Sequence, residues 1–257
     1  MPGKRFLRAV VALLLAVPSA ALPASAAASA PVATPSSVRV VDASSVENRT
    51  NGRIFGFYPG LGRYSCSGTA LDTPSRSIVL TAGHCVRDQG IWGRDVVFVP
   101  AYDHGARPFG NFSATASFVT PQWRKLQNPD FDLGAFEVKP NRLGALADVV
   151  GGREWTTGRS RLSTLEIFGY PAGALQGESL RSCPTQAIGA DPMTNPLPGP
   201  PTMPARCDMA SGSSGGAWIV DGRYVDGVTS YTYQGRLGRL FSPYFGPEIG
   251  RFLSGLP

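Results

Sequence analysis

The chain has 257 residues, with 24 Lys and Arg against 18 Asp and Glu for a formal charge of +6, and 42% hydrophobic residues. Three of the basic and none of the acidic residues lie in positions 1–26, so the remainder carries only +3. With no block of Lys and Arg interleaved with aromatics, this balance gives no support to nucleic-acid binding.

From the start of the chain, Lys4, Arg5 and Arg8 precede an apolar run from Ala9 to Val17 and then Ala24-Ser25-Ala26. A charged, then apolar, then small-residue order is that of a secretory signal peptide over 1–26, cleaved after Ala26 or at Ala28 or Ala30. The apolar run is too short to span a bilayer. The mature chain is therefore expected to be secreted to the extracellular space, without membrane association. Residues 27–50 are rich in Ala, Ser, Pro and Val without apolar periodicity and read as a propeptide or flexible leader. The folded domain is expected over 51–257.

Within that domain, short β-rich runs alternate with Gly and Pro. Strands are predicted over 53–57, 67–71, 77–81, 95–100, 112–119, 133–138, 164–170, 179–183, 216–220, 224–233 and 239–242. Many short strands at such spacing indicate an all-β sandwich or barrel. The stretch 184–206 holds seven prolines between Cys183 and Cys207. It can be read as a linker, but a disulfide at its ends would make it a surface loop. A short helix is predicted over 247–253, opening on Pro247, a residue suited to a first helical position.

Three segments carry the chemistry. Thr81 to Cys85 reads TAGHC, Asp130 to Phe136 reads DFDLGAF, and Ser211 to Ala217 reads SGSSGGA. They supply a base, His84, an acid to orient it, Asp132, and a serine among glycines, Ser214, in the order His, Asp, Ser. Ser214 also satisfies G-x-S-x-G, the nucleophile elbow of α/β-hydrolases. That fold needs its histidine after the serine, and both histidines, His84 and His104, precede Ser214. A subtilisin order would require Asp42 or Asp72 as first member, and neither sits in such a motif. Asp132 heads an alternating strand, whereas its rival Asp130 follows Pro129 and reads as a solvated turn residue. His104 reads as a loop bystander and Glu137 as an exposed strand residue. The backbone N–H groups of Gly212 and Ser214 are the expected oxyanion donors.

The segments from Ser77 to Cys85, Phe131 to Val138 and Ser211 to Val220 together resemble the chymotrypsin-like (trypsin-like) serine peptidases. The resemblance runs from near Arg53 to the C-terminus. It implies two six-stranded antiparallel β-barrels, about 51–140 and 155–257, with His84 and Asp132 in the first and Ser214 in the second. It also implies a Cys66–Cys85 disulfide, and with it Cys183–Cys207; sequence alone allows three connectivities. No C-x-x-C or H-x-x-x-H spacing favours a zinc site, and no metal or organic cofactor is implied. Animal-type members carry Asp before the nucleophile, paired with an amino terminus released by cleavage. Here that position is Ser213, as in bacterial secreted relatives near the glutamyl-endopeptidase-like branch, so the cleavage-site likeness of Arg53-Ile54 is discounted. Ser230, Tyr231 and Thr232 match the strand edge that pairs with an extended peptide. Asp208, six residues before Ser214, matches the position of an acid that attracts Arg or Lys. Thr229 stands where the glutamyl branch has histidine. The resemblance thus implies a monomeric secreted endopeptidase acting on peptide or protein substrates. A protease-like binding protein without turnover and an esterase using the same three residues are the alternatives.

Overall fold

The computed structural model describes residues 38–173, 176–193, 195–209, 211–234 and 238–257. The expected signal peptide and the first part of the expected leader lie outside these residues. Among the described residues sixteen strands are formed: β1 Arg39–Val40, β2 Asn51–Tyr58, β3 Gly62–Leu71, β4 Ile78–Thr81, β5 Arg87–Asp88, β6 Ile91–Trp92, β7 Arg94–Pro100 and β8 Phe112–Val119 in the first half. There follow β9 Gly134–Val138, β10 Glu154–Trp155, β11 Thr164–Gly169, β12 Arg181–Gln186, β13 Met203–Arg206, β14 Ala217–Val220, β15 Tyr224–Val228 and β16 Arg239–Ser242.

The first barrel closes in the order β2-β3-β4-β9-β8-β7. Its interior is filled by Ile54, Val79, Phe98, Phe112 and Phe136, the inward members of alternating strands. The second half joins its strands differently. A six-stranded sheet runs β1-β12-β11-β14-β15-β10, and β13 pairs with β16 as a separate ribbon. Isolated bridges join ribbon to sheet: Ala187–Ala205 on one side, with the Ile188 N–H donating to the Pro204 carbonyl (2.9 Å), and Tyr231–Phe241 on the other, with the Ser230 N–H donating to the Phe241 carbonyl (2.8 Å). Pro204, at the first of these seams, has no N–H to give to a ladder. The pairing is antiparallel except where β10 runs parallel to β15. Leu165, Ile167, Met203, Trp218 and Leu240 pack inside this half.

A third apolar cluster joins the halves, with Leu71, Leu80 and Val99 from one and Phe168, Ile219 and Val228 from the other. The helix Pro247–Ser254 closes it with Ile249 and Leu253, four residues apart on one face.

Part of the expected leader belongs to this domain. Arg39 and Val40 pair with Ser182 and Arg181, the Val41 N–H donates to the Leu180 carbonyl, and Ala43 is buried in the joining core. Residues 38–43, expected in the leader, thus pack onto the domain expected from 51. Arg53-Ile54 is interior to β2, hydrogen-bonded to β3 and β7 on its two sides with Ile54 fully buried. A peptidase could reach that bond only by opening the barrel.

Candidate active site

The buried strand β4 delivers the chain into a tight turn, Gly83–Val86, whose Cys85 is bonded to Cys66 of β3. The second disulfide joins Cys183 and Cys207. Gly83 is a steric necessity: a Cβ there would stand 2.8 Å from the Trp123 ring and 2.9 Å from Asp132 Oδ1. Trp123 is held over the turn by the helix Pro121–Leu126, whose Thr120 hydroxyl accepts from the Trp123 N–H. The Tyr58 hydroxyl donates to the His84 carbonyl from the other side.

Asp132 ends the 3₁₀ turn Pro129–Phe131 and is 2% exposed. Its Oδ1 accepts from the His84 backbone N–H (2.7 Å), and its Oδ2 pairs with His84 Nδ1 (2.8 Å) and accepts from the Ser230 hydroxyl (2.5 Å). Burial alone would raise this carboxyl, but the His84 charge and these three donors hold it below the ordinary value. Burial alone would likewise lower the His84 imidazole, and the Asp132 carboxylate holds it above the ordinary histidine value. With Nδ1 engaged by Asp132, Nε2 is left as the nitrogen that can exchange a proton.

The Ser214 turn is fastened through its backbone to β3, whose Ser67 N–H donates to the Ser214 carbonyl (2.7 Å). A Cβ on Gly215 would collide with Thr81 Oγ1 and the Ser67 carbonyl, so the Ser214 turn lies directly against the strand leading to His84. Among the described residues no hydrogen bond joins Ser214 Oγ to the imidazole.

The carbonyls of this turn are all held. Ser211 C=O accepts from the Ala172 N–H (2.5 Å), Gly212 C=O from the Ser67 hydroxyl (2.8 Å), Ser213 C=O from the Gly216 N–H (2.9 Å) and Ser214 C=O from the Ser67 N–H (2.7 Å). In a planar trans peptide the N–H points opposite to the C=O. Anchoring Ser211 and Ser213 C=O therefore turns the Gly212 and Ser214 N–H groups the other way, and neither donates within the protein among the described residues. Gly212 has φ +94°, and a Cβ there would stand 2.7 Å from the Tyr170 carbonyl, so both conformation and space demand glycine.

Other expectations fare differently. Tyr231 directs its N–H and C=O to Phe241, which by strand alternation turns those of Thr232 the other way, and among the described residues neither has a backbone partner. Ser230 also acts inward, on Asp132. Asp208 is exposed, next to Cys207 of the second disulfide. Thr229 is buried and its hydroxyl accepts from the Trp218 indole (3.0 Å). Asp130 is buried, not solvated: Asn195 donates to it (3.3 Å), and burial raises its carboxyl above the ordinary value. His104 is exposed and paired with its neighbour Asp103. Cys66, His84 and Cys85 cluster, but both sulfurs are in the disulfide and offer no thiolate.

The proline-rich segment forms a loop between β12 and β13 that is fastened at two places. Asp191 accepts from the Tyr231 (3.0 Å) and Tyr233 hydroxyls, while Asn195 donates to Asn128 Oδ1 (2.6 Å) and Asn128 to the Pro198 carbonyl (3.0 Å). A hollow of about 380 Å³ away from this site is lined by Glu47, Arg153, Glu166 and Asp221. Sequence reasoning missed Ser67, Trp123, Tyr58 and Asp191. Only Trp123 had a local signal, the Thr120-Pro121 helix start.

The family model for trypsin matches residues 45–244. Among solved structures, the protease Anisep from Arthrobacter nicotinovorans is 31% identical, covering 85% of this chain and 98% of its own, with a TM-score of 0.76. A thermostable serine protease, AL20, from an extremophilic microorganism is 28% identical over 82% of this chain and 97% of its own, with a TM-score of 0.75. A Glu endopeptidase in complex with MPD, 18% identical with a TM-score of 0.67 over 84% of this chain and 94% of its own, shares the fold. No curated protein matches the chain.

Proposed function

This chain belongs to the trypsin family of serine-type peptidases, and from that premise we propose that it is a secreted endopeptidase working through Ser214, His84 and Asp132. His84 Nε2 takes the Ser214 hydroxyl proton as Oγ attacks the scissile carbonyl carbon. The carbonyl oxygen becomes an oxyanion facing the Gly212 and Ser214 N–H groups. The same proton passes from His84 to the leaving amine as the C–N bond breaks, leaving an acyl-Ser214 ester. Water, deprotonated by His84, then attacks that ester, and the proton returns to Ser214 as the acid product leaves. Asp132 keeps Nδ1 protonated and stabilises the imidazolium in each half. The Ser214–His84 hydrogen bond forms as substrate binds, since such contacts are often loose without substrate.

The observation that carries this reading is the hydrogen-bonded line Ser230–Asp132–His84 lying against a turn whose outward N–H groups are set by anchored carbonyls. A binding protein has no need of a glycine at φ +94° that leaves two N–H groups undonated in a turn packed against the strand leading to His84. Peptide is the acyl donor that fits: the open Thr232 edge pairs with an extended chain, and the fastened loop 184–206 beside it favours unfolded segments over folded surfaces. The two disulfides suit an oxidising, extracellular location.

The test is the intact mass of the processed protein before and after a serine-directed phosphonate, with Ser214→Ala as control, followed by hydrolysis of a denatured protein. One adduct on Ser214, absent from the control, with cleavage at internal peptide bonds is expected. Absence of an adduct on folded, disulfide-bonded protein overturns the reading, and an adduct with ester but no peptide hydrolysis reduces it to an esterase.

A further inference from the structure

The Ser214 turn bears no charged side chain from Ser211 to Gly216, so neutral hydrogen bonds must set its orientation. Two of the four carbonyls that do so are held by one residue, Ser67 of β3, which is 1% exposed and adjoins the Cys66–Cys85 disulfide. Its N–H donates to Ser214 C=O (2.7 Å), and its carbonyl accepts from Thr81 Oγ1 (2.8 Å). Its hydroxyl donates to Gly212 C=O (2.8 Å) and accepts from the Tyr170 N–H (2.8 Å). The backbone bonds survive any substitution other than proline. The hydroxyl bonds belong to serine.

We propose that the Ser67 hydroxyl is a positioning residue for the oxyanion site, clamping the Gly212 carbonyl to the segment that holds the neighbouring peptide. The geometry gives it leverage on both sides of Gly212. Through Gly212 C=O it fixes the plane of peptide 212–213. Through the Tyr170 N–H it anchors the segment whose Ala172 N–H holds Ser211 C=O, and so the plane of peptide 211–212. Gly212 has no side chain to resist rotation, so its N–H keeps its aim only while the planes on either side are held. Preorganised donors act because they need no reorganisation as charge develops. The clamp is complete while Ile54 is buried in an unbroken β2, so the site is assembled without cleavage at Arg53-Ile54.

The inference rests on the endopeptidase reading, and its test separates the two. Wild type is first labelled at Ser214 with the phosphonate; failure there removes that reading. On labelled-competent enzyme, Ser67→Ala is compared with wild type for kcat, KM, inhibition by a peptide aldehyde and Tm. The aldehyde adds to Ser214 Oγ to give a hemiacetal whose oxygen occupies the oxyanion position. Expected are a kcat lowered about 10- to 100-fold, an aldehyde inhibition constant raised by a similar factor, and KM within about 3-fold. Ser67→Gly removes the same hydroxyl without leaving a methyl and should behave alike; Ser67→Thr, which keeps it, should recover most of kcat. A folded Ser67→Ala or Ser67→Gly enzyme with wild-type kcat and aldehyde inhibition overturns the proposal. So does a parallel loss of kcat and substrate binding, or failure of both variants to fold, either of which leaves Ser67 a purely structural role.

Discussion

Replacing Ser230 by Ala removes one of the three donors to the Asp132 carboxylate and leaves the two from His84. The bond is short, 2.5 Å, and buried, and hydrogen bonds to a charged group in such settings contribute about 1.5–3 kcal/mol. Two effects follow with opposite pH signatures. Stability falls by that amount wherever Asp132 is ionised, which for a domain of this size lowers Tm by roughly 5–10 °C. Asp132 is held below its reference value of 3.8, so its contribution is present above that pH and disappears as pH falls through the folded value. The Tm difference should therefore close below about pH 4. Meanwhile the carboxylate, with less of its charge neutralised, holds the His84 proton more tightly. If a third to a half of the lost energy appears there, the imidazole rises by about 0.4–1 pH unit at 1.36 kcal/mol per unit. His84 must be neutral to act as base, so the acid limb of kcat/KM moves to higher pH by that amount. Rate profiles from pH 5 to 9 on a chromogenic peptide, paired with thermal melts, read both effects. An acid limb that stays in place or moves to lower pH would refute the coupling of Ser230 to His84 through Asp132.

Gly212→Val forces a branched side chain into φ +94° against the Tyr170 carbonyl, so kcat should fall about 10²- to 10³-fold, with a lower Tm as well; a variant as active as wild type in steady-state assays would exclude Gly212 from the oxyanion site. Asp191→Asn weakens the fastening of Tyr231 and Tyr233 and should raise KM for peptides of several residues while leaving kcat on a small ester unchanged, as parallel kinetics on the two substrates would reveal. Asp226, 2% exposed in β15, is pushed up to about 7 by burial, with Asp221 adding to that and Arg159 opposing it. Its neutral form is the one the fold accepts, so it costs stability increasingly as pH rises from about 4 to 7, up to about 4 kcal/mol. Asp226→Asn should accordingly raise Tm at pH 8 and leave it unchanged at pH 4. With Asp208 exposed and Thr229 bound to Trp218, peptide-library profiling should favour uncharged residues on the acyl side of the cleaved bond; strong enrichment of Arg, Lys or Glu there would contradict it.

Much of the scaffold was legible because strand periodicity is local. The predicted runs 112–119 and 239–242 coincide with β8 and β16, and the helix expected from Pro247 begins there. The misses share a cause. β1 has two residues and exists only because β12 offers it an edge. β13 contains Pro204 inside a proline-rich loop and is a strand only through β16. The helices Pro121–Leu126 and Leu146–Val150 are shorter than any apolar period can reveal.

The sequence by itself singled out the groups proposed to react and their order. A histidine after an apolar strand, an aspartate heading another and a serine among glycines leave few chemistries, and the order His, Asp, Ser excludes two competing folds. Tertiary structure alone decided which side chains those groups depend on. It paired Asp132 with His84 across 48 residues, brought Ser230 to Asp132 across 98 and set the Ser67 hydroxyl on Gly212 across 145. It also buried Asp130 and left Asp208 in solvent. Burial and hydrogen-bond geometry are properties of the assembled barrels, and residues so far apart in the chain leave no periodic trace of meeting.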